Sequence, residues 1–492
     1  LLEERFGMVI LSVGFCPDQA NREQLEKLGI ELNQYGFCRT DYGEPVKCYR
    51  DGVFAAGSLN QPMAIPESVM QASAAASRAA ALLHQSRGTR LADKEYPPEK
   101  DVSSEEPRIG IFVCHCGTNI AGYLDIDELT KFAAGLPGVI YADHPMYTCA
   151  QDSQKQMADL IREHDLNRVV VAACSPRTHE ELFRETLREA GLNPYLFEMA
   201  NIRDQCSWIH MTEKQSATEK AKDLIAMAAA KARLLEPIPI REVDVTSSAL
   251  VVGGGVAGMT AALSLAEMGF RTALAEKEEI LGGRLNRIRE TIEGMDVDAY
   301  IEDLSQKVQN HELIDVYAGC EVESIEGFVG NFKSRIRTKD NTVELEHGAV
   351  ILAMGAEDAD TEDYMYNKNP RVITQHDLEE FLEDKTGGEL ERGETFVMIQ
   401  CVQSRNDDFP YCSRICCTQA VKNALHIKNV NPDAEVYILY RDIRTYGFRE
   451  EYYEEARNRG VVFLRYEQEE PPVVETEGEK LRVRVNEKIM RR

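Results

Sequence analysis

The chain has 492 residues, of which 43% are hydrophobic, and a formal net charge of −27. Such an acid excess argues against a nucleic-acid surface, which needs basic patches, and against docking on anionic lipid. No run of about 18 apolar residues occurs, so no membrane span is expected. In chain order, an apolar strand at 8–14 and a second at 53–57 lead to an alanine-rich helix over 66–84. The charged, proline-bearing stretch at 91–106 reads as a linker between a unit at 1–90 and the next domain. Residues 107–236 alternate strand and helix: strands at 109–113, 139–142, 168–173 and 195–199, with amphipathic helices near 126–134, 153–164 and 179–190. A long helix at 217–235 closes that unit. Regular alternation predicts a parallel, doubly wound α/β sheet. A second α/β domain spans 247–390. A further βαβ unit spans 391–492, with strands at 396–400 and 436–440 and a helix from Cys417.

The segment Gly253-Gly254-Gly255-Val256-Ala257-Gly258 fits G-x-G-x-x-G. It follows a hydrophobic strand, opens a helix and precedes a strand that ends in Glu276, which is the full context of a Rossmann dinucleotide site. Gly253 permits the tight turn, Gly255 lets backbone approach a pyrophosphate, and Gly258 lets helix and strand pack closely. Val256 and Ala257 open the helix whose free N–H groups face the phosphates. Glu276, followed by Lys277, would accept hydrogen bonds from the adenosine ribose. The following Leu281-Gly282-Gly283-Arg284-Leu285 resembles the segment that flavoprotein reductases lay against FAD. The turn holding Ala353 and Gly355 resembles their strand near the adenine. Residues 52–58 resemble the second FAD motif of that fold, with Ser58 where an acid is usual. The three segments together favour FAD.

Thirteen cysteines are unevenly placed. A secreted disulfide scaffold is short and evenly stapled. Clustered cysteines in a long acidic chain point to metal or redox chemistry in a reducing compartment, so a cytoplasmic location is expected. Cys401, Cys412, Cys416 and Cys417 have the spacing C-x10-C-x3-C-C, the thiolate number of a [4Fe–4S] cluster. A helix begins there, aiming its positive end at an anionic cluster. Zinc or unliganded core cysteines are the alternatives, though zinc usually takes paired C-x2–4-C knuckles. Cys114, Cys116, Cys149, Cys174 and Cys206 each follow a strand of the 107–236 unit, at the sheet edge where ligand sites form. Four of the five would suffice for a second cluster; buried small hydrophobes are the alternative. His115 and His179 lie near this edge, as ligands or as loop histidines.

The stretches 114–120, 172–177 and 193–203, with the C-x10-C-x3-C-C block, resemble the A-type subunit of heterodisulfide reductase and its bacterial relatives over about residues 107–492. Residues 1–90 look like the C-terminal part of a second copy of the same flavin fold. With Leu1 rather than Met at the start, the sequence reads as a fragment of a tandem or fused version. The resemblance implies a cluster domain joined to a FAD domain of the thioredoxin-reductase kind. It implies an iron–sulfur oxidoreductase in which FAD splits electron pairs between ferredoxin and a disulfide acceptor. Its expected partners are other subunits of such a complex and a hydrogenase or dehydrogenase donor. Gln403 stands where that family has Gly, and no ferredoxin-like C-x2-C-x2-C run occurs. Competing readings are a pyridine-nucleotide-disulfide-reductase-like flavoenzyme and a non-catalytic electron-wire subunit. The first expects a redox C-x2-C or C-x4-C pair and a second G-x-G-x-x-G, and neither is present.

Overall fold

A computed structural model describes residues 8, 10, 11, 14–92, 94–383 and 395–487. The chain divides into two compact units: Leu91–Val243, and Leu1–Arg90 together with Asp244–Arg492. Among the described residues no helix is long and apolar enough to cross a membrane.

In residues 1–90, α1 (Gln19–Lys27) precedes α2 (Ile65–Leu83), which Pro66 starts in its first turn. Proline is tolerated there because the first helical N–H groups lack partners anyway. The strand expected at 53–57 is a single bridge, Lys47↔Phe54, followed by a tight turn at Gly57–Leu59. The strand lacks a long neighbour, so its backbone groups go to local loops instead: Ala55 N–H donates to Val46 O and Val53 N–H to Arg50 O. Residues 9, 12 and 13 of the strand expected at 8–14 lie outside the described residues, as does the terminal 488–492.

The unit at 91–243 runs β1 (Ile109–Val113), α3 (Ile126–Ala134), β2 (Val139–Asp143), α4 (Gln151–Glu163), β3 (Arg168–Ala173), α5 (Pro176–Glu189), β4 (Phe197–Asn201) and α6 (Lys214–Ala232). All strands are parallel, in the order β2-β1-β3-β4. Every residue of β1 and β3 is buried, as a parallel sheet covered by helices on both faces requires. Asp125 caps α3 by accepting from Glu128 N–H at 3.0 Å, which satisfies one of the free donors of the first turn. Residues 91–106 lie along this unit: Val102 is fully buried and Lys100 pairs with Asp165 at 2.6 Å.

The other unit continues with β5 (Ser248–Val252), α7 (Val256–Glu267), β6 (Arg271–Ala275), α8 (Val297–Gln309) and β7 (Ile314–Tyr317). An antiparallel sheet comes next, β8 (Glu321–Phe328), β9 (Asn331–Arg337) and β10 (Thr342–His347), and then β11 (Ala349–Leu352). The Rossmann sheet has the order β11-β5-β6-β7, all parallel. After α9 (Gln375–Glu383), the last βαβ region comprises β12 (Thr395–Ile399), α10 (Cys416–Val430), β13 (Glu435–Tyr440), α11 (Glu450–Asn458) and β14 (Val462–Arg465). Its parallel sheet β12-β13-β14 has its own core around Met398, Ala424, Val436 and Ile438. A hairpin, β15 (Val473–Glu477) and β16 (Lys480–Arg484), ends the described chain. The architecture is α/β with doubly wound parallel sheets. In residues 1–90, α2 packs on α7, and Arg78 bridges Glu44 at 2.8 Å and Glu267 at 2.6 Å.

Candidate functional site

Strand order locates the first site. In the Rossmann sheet the chain moves from β5 to β6 on one side and returns to β11 on the other, so the switch point lies between β5 and β11, where open α/β sheets bind ligands. Gly253 follows β5, and Ala353 and Gly355 follow β11. Gly253 has φ +110°, and a Cβ there would meet Ala353 O at 2.3 Å. At Gly258 a Cβ would lie 1.7 Å from Gly253 O, whereas at Gly255 nothing comes within 4 Å. Gly255 bridges Gly282, and a Cβ added at Gly283 would lie 3.2 Å from the Gly255 Cα. The glycine loop and the 281–285 loop therefore meet, as expected for two segments sharing one ligand. Val256 and Ala257 are exposed on the first turn of α7.

Glu276 is buried. Its carboxylate accepts from Gly254 N–H and, at 2.8 Å, from Glu278 N–H, so it braces the glycine loop. Lys277 is exposed and 3.6 Å from Glu357. Leu285 N–H donates to Gly282 O. Arg284 pairs with Asp358 at 2.5 Å and lies 2.9 Å from His376 Nε2. His376 is buried and meets Gln419 of α10 through Nδ1 at 3.4 Å. This chain of contacts joins the glycine-loop region to the helix that begins at Cys416. Sequence reasoning missed His376, which belongs to no local motif.

Cys401, Cys412, Cys416 and Cys417 line one cavity with Ser404, Arg405, Ser413, Arg414, Asp442 and Arg444. Cys401 follows β12, and Cys416 and Cys417 open α10. Four non-glycine residues of this loop, Cys401, Gln403, Arg405 and Arg414, have left-handed backbone with φ between +50° and +67°. Such strain persists where surroundings over-determine the conformation, and it concentrates at functional sites. Burial pushes the Cys417 thiol up to about 11, with Cys401, Cys416 and Cys412 adding to the rise. Burial followed by Cys401 and Cys412 likewise raises Cys416. A metal centre held here would have to displace the protons of these thiols. Arg405 lies 4.0 Å from Cys401 Sγ and pairs with Asp442 at 2.7 Å. No group of three or more His, Cys, Asp or Glu side chains among the described residues closes on a single metal ion; a four-iron cube holds its thiolates farther apart than one ion does.

In the 91–243 unit the strand order reverses between β1 and β3, which puts Cys114, Cys116 and Cys174 at the switch point. Thr148 N–H donates to Cys114 Sγ at 3.4 Å, and Cys116 N–H donates to Met146 O, which ties the loop before Cys149 to the same place. Burial raises the Cys149 thiol, and Cys114 and Cys116 raise it further while Arg203 lowers it. Burial raises Cys174, Arg203 opposes, and Cys114 and Cys116 again add. Cys206 differs. It sits in a π-turn, Arg203–Ser207, and its thiol donates to Ala217 O at 3.0 Å. Its shift comes from burial, with Lys220 opposing. Cys149 and Cys174 thus share the influence of Arg203 and of Cys114 and Cys116, whereas the Cys206 thiol is turned toward Ala217 of α6. His115 Nε2 is engaged by His144 Nδ1 at 2.9 Å, and His179 marks a kink inside α5.

Residues 247–388 match the pyridine nucleotide-disulphide oxidoreductase family. The chain is 38% identical to the second iron–sulfur A-type subunit of CoB–CoM heterodisulfide reductase from Methanopyrus kandleri, covering 74% of this chain and 70% of that protein. It is 36% identical to the A-type subunit of the H2:CoB–CoM heterodisulfide,ferredoxin reductase of Methanothermobacter thermautotrophicus, covering 75% of this chain and 70% of that one. Among solved structures, T. acidophilum thioredoxin reductase is 18% identical, covering 51% of this chain and 73% of that one, with a TM-score of 0.33.

Proposed function

Because the chain belongs to the family of heterodisulfide reductase A-type subunits, which are oxidoreductases, we propose that it is an FAD- and [4Fe–4S]-dependent electron-transfer subunit working with ferredoxin. The observation that carries this reading is the convergence of Cys401, Cys412, Cys416 and Cys417 on one cavity. It lies at the end of β12, where a nucleotide-binding βαβ unit has a glycine turn.

Gly253, Gly255 and Gly258, with the open first turn at Val256 and Ala257, would cradle the FAD pyrophosphate. Glu276 would hold the ribose hydroxyls beside Lys277. Gly283, Arg284 and Leu285 would flank the flavin side, with Ala353 and Gly355 closing the switch point. The donor set fits clusters in both places: four thiols each, with Arg405 and Arg444 beside the first and Arg203 beside the second. The ligands of the second would be Cys114, Cys116, Cys149 and Cys174, with Cys206 left as a packing residue. Bound FAD supplies a carrier for one or two electrons, and each [4Fe–4S] cluster a carrier for one. The arginines would offset cluster charge, and the N-terminal end of α10, which begins at Cys416, would add its positive dipole. The 1–90, 91–106, 107–236, 247–390 and 391–492 divisions follow as functional segments of a cytoplasmic complex with further subunits. The relatives' names, which include ferredoxin and the CoB–CoM heterodisulfide, support ferredoxin on one side and a disulfide acceptor on the other.

Air-free purification of the chain tests this. Flavin bands should appear with broad iron–sulfur absorbance and about eight irons per chain, four for each cluster. NADH should fail to reduce it, while a low-potential one-electron reductant should succeed. Rapid bleaching by NADH of a chain without iron would refute the reading.

A further inference from the structure

Cys38 and Cys48 stand outside both cysteine groups. Their sulfurs are 3.4 Å apart, and the residues are 2% and 3% exposed. Local bridges pair Leu32 with Cys38 and Thr40 with Cys48, both antiparallel. Alternate residues of an extended strand share a face. Cys38 therefore lies on the same face as Thr40 and reaches Cys48 diagonally across the pair. The Cys38 N–H donates to Leu59 O at 2.9 Å and the Cys48 N–H to Val53 O at 3.1 Å. Both cysteines are thus tied to the stretch that holds the Gly57 turn. Their buried neighbours are Ile30 and Ala55, with Leu25, Val53 and Leu59 packed around them. Two thiols in an apolar setting are too few for zinc or an iron–sulfur cluster. Packing alone asks only for small apolar volume; it does not ask that the two sulfurs face each other.

We propose that Cys38 and Cys48 are a dithiol–disulfide couple whose oxidant is a low-molecular-weight disulfide. When local opening of the loop between them exposes the sulfurs, one cysteine thiolate attacks a sulfur of the small disulfide and expels one small thiolate. The second cysteine then attacks the mixed disulfide and expels the other. The small disulfide's S–S bond and two cysteine S–H bonds break, one protein S–S bond forms, and both electrons and both protons leave on two small thiols. Reduction by excess small thiol runs the same steps backward. Burial, with the facing Cys48, pushes the Cys38 thiol up to about 12, so its thiolate is scarce at neutral pH and exchange quickens as pH rises. The closed form staples the loop between the two cysteines, which carries Glu44, the partner of Arg78 on α2. The couple needs neither flavin nor cluster and stands independently of the proposed function.

The full chain is incubated in native buffer at about pH 8, near the ordinary cysteine value, with rising oxidised glutathione. It is then quenched in acid, unfolded, alkylated and digested with trypsin, which cuts after Arg39 and Lys47 and separates the two cysteines. Mapping without reduction should show the Cys38 and Cys48 peptides joined, at their summed mass less two hydrogens. The joined fraction should rise with oxidised glutathione and vanish after dithiothreitol. Cys48→Ser should abolish it and leave Cys38 alkylated or carrying glutathione. The proposal falls if both cysteines of the unsubstituted chain are alkylated at every concentration. It falls equally if either stops at a mixed disulfide with glutathione or joins a different cysteine.

Discussion

At the scale of single residues, two glycines of one motif have different tasks, and substitution should separate them. A Cβ at Gly255 meets nothing within 4 Å, and its φ of −73° is open to any residue. Gly255→Val should therefore leave stability within about 0.5 kcal/mol, as ordinary surface changes do, yet weaken FAD binding at least about tenfold, which is about 1.4 kcal/mol. Gly258→Ala drives a methyl into Gly253 O. It should cost about 3 kcal/mol, the upper end for overpacking, and lose flavin as well. Denaturant titration and flavin stoichiometry check both; flavin retained in Gly255→Val would remove the pyrophosphate assignment. The cysteines of the 91–243 unit invite the same contrast. Cys206→Ser should leave iron content unchanged, because that thiol bonds Ala217 O. The Cys149→Ser, Cys174→Ser double variant should lose about four irons per chain, one cluster's worth. Equal iron loss in the two variants would mean that Cys114, Cys116, Cys149 and Cys174 are not the ligand set.

At the scale of elements, the antiparallel sheet β8–β10 contains a proton-sensitive contact. His347, at the end of β10, is 2% exposed. Its Nδ1 lies 3.1 Å from Ala349 O, which can only accept, so Nδ1 carries the proton; Nε2 then accepts from Ser334 Oγ at 2.8 Å. Burial lowers the His347 value from its ordinary 6.5. Below about pH 6.5 the unfolded chain takes up a proton that the folded sheet resists, so stability should be full above that pH and fall as pH drops through and below it. Urea melts across that range should show the decline, and His347→Gln should flatten it. An unchanged slope in His347→Gln would assign the effect elsewhere. The loop between β12 and α10 shows the opposite kind of element. Regularity gives way there to left-handed backbone at Cys401, Gln403, Arg405 and Arg414, and chain geometry serves the placement of four thiols.

At the scale of the whole molecule, the 91–243 unit has its own continuous core, from Val102 through β1 and β3 to Ala232. Expressed alone, it should fold cooperatively and hold about four irons, the content of one [4Fe–4S] cluster. Circular dichroism and iron analysis decide this, and a folded unit without iron would count against the cluster there. Much of this organisation is legible in the sequence. The parallel sheets are announced by apolar strands alternating with amphipathic helices, and the glycine loop by G-x-G-x-x-G between strand and helix. The C-x10-C-x3-C-C spacing singles out four cysteines that the fold does gather around one cavity. These signals are legible because periodicity, turn chemistry and short spacing are local properties of the chain.

Contacts between distant segments are not local, and only the tertiary structure decides them. Five cysteines at strand ends look equivalent in the sequence. The π-turn at Arg203–Ser207 directs one of them to α6, while the reversal of strand order between β1 and β3 places Cys114, Cys116 and Cys174 at one switch point. His376 joins Arg284 to Gln419 only because α9 packs against α10. Cys38 and Cys48 face each other only because two short bridges fold the loop back on itself. The sequence by itself determined which chemistry the chain can carry, since residue type and near spacing set donors, turns and periodicity. The crossovers between strands, which set distances across the chain, decided which of those residues act together.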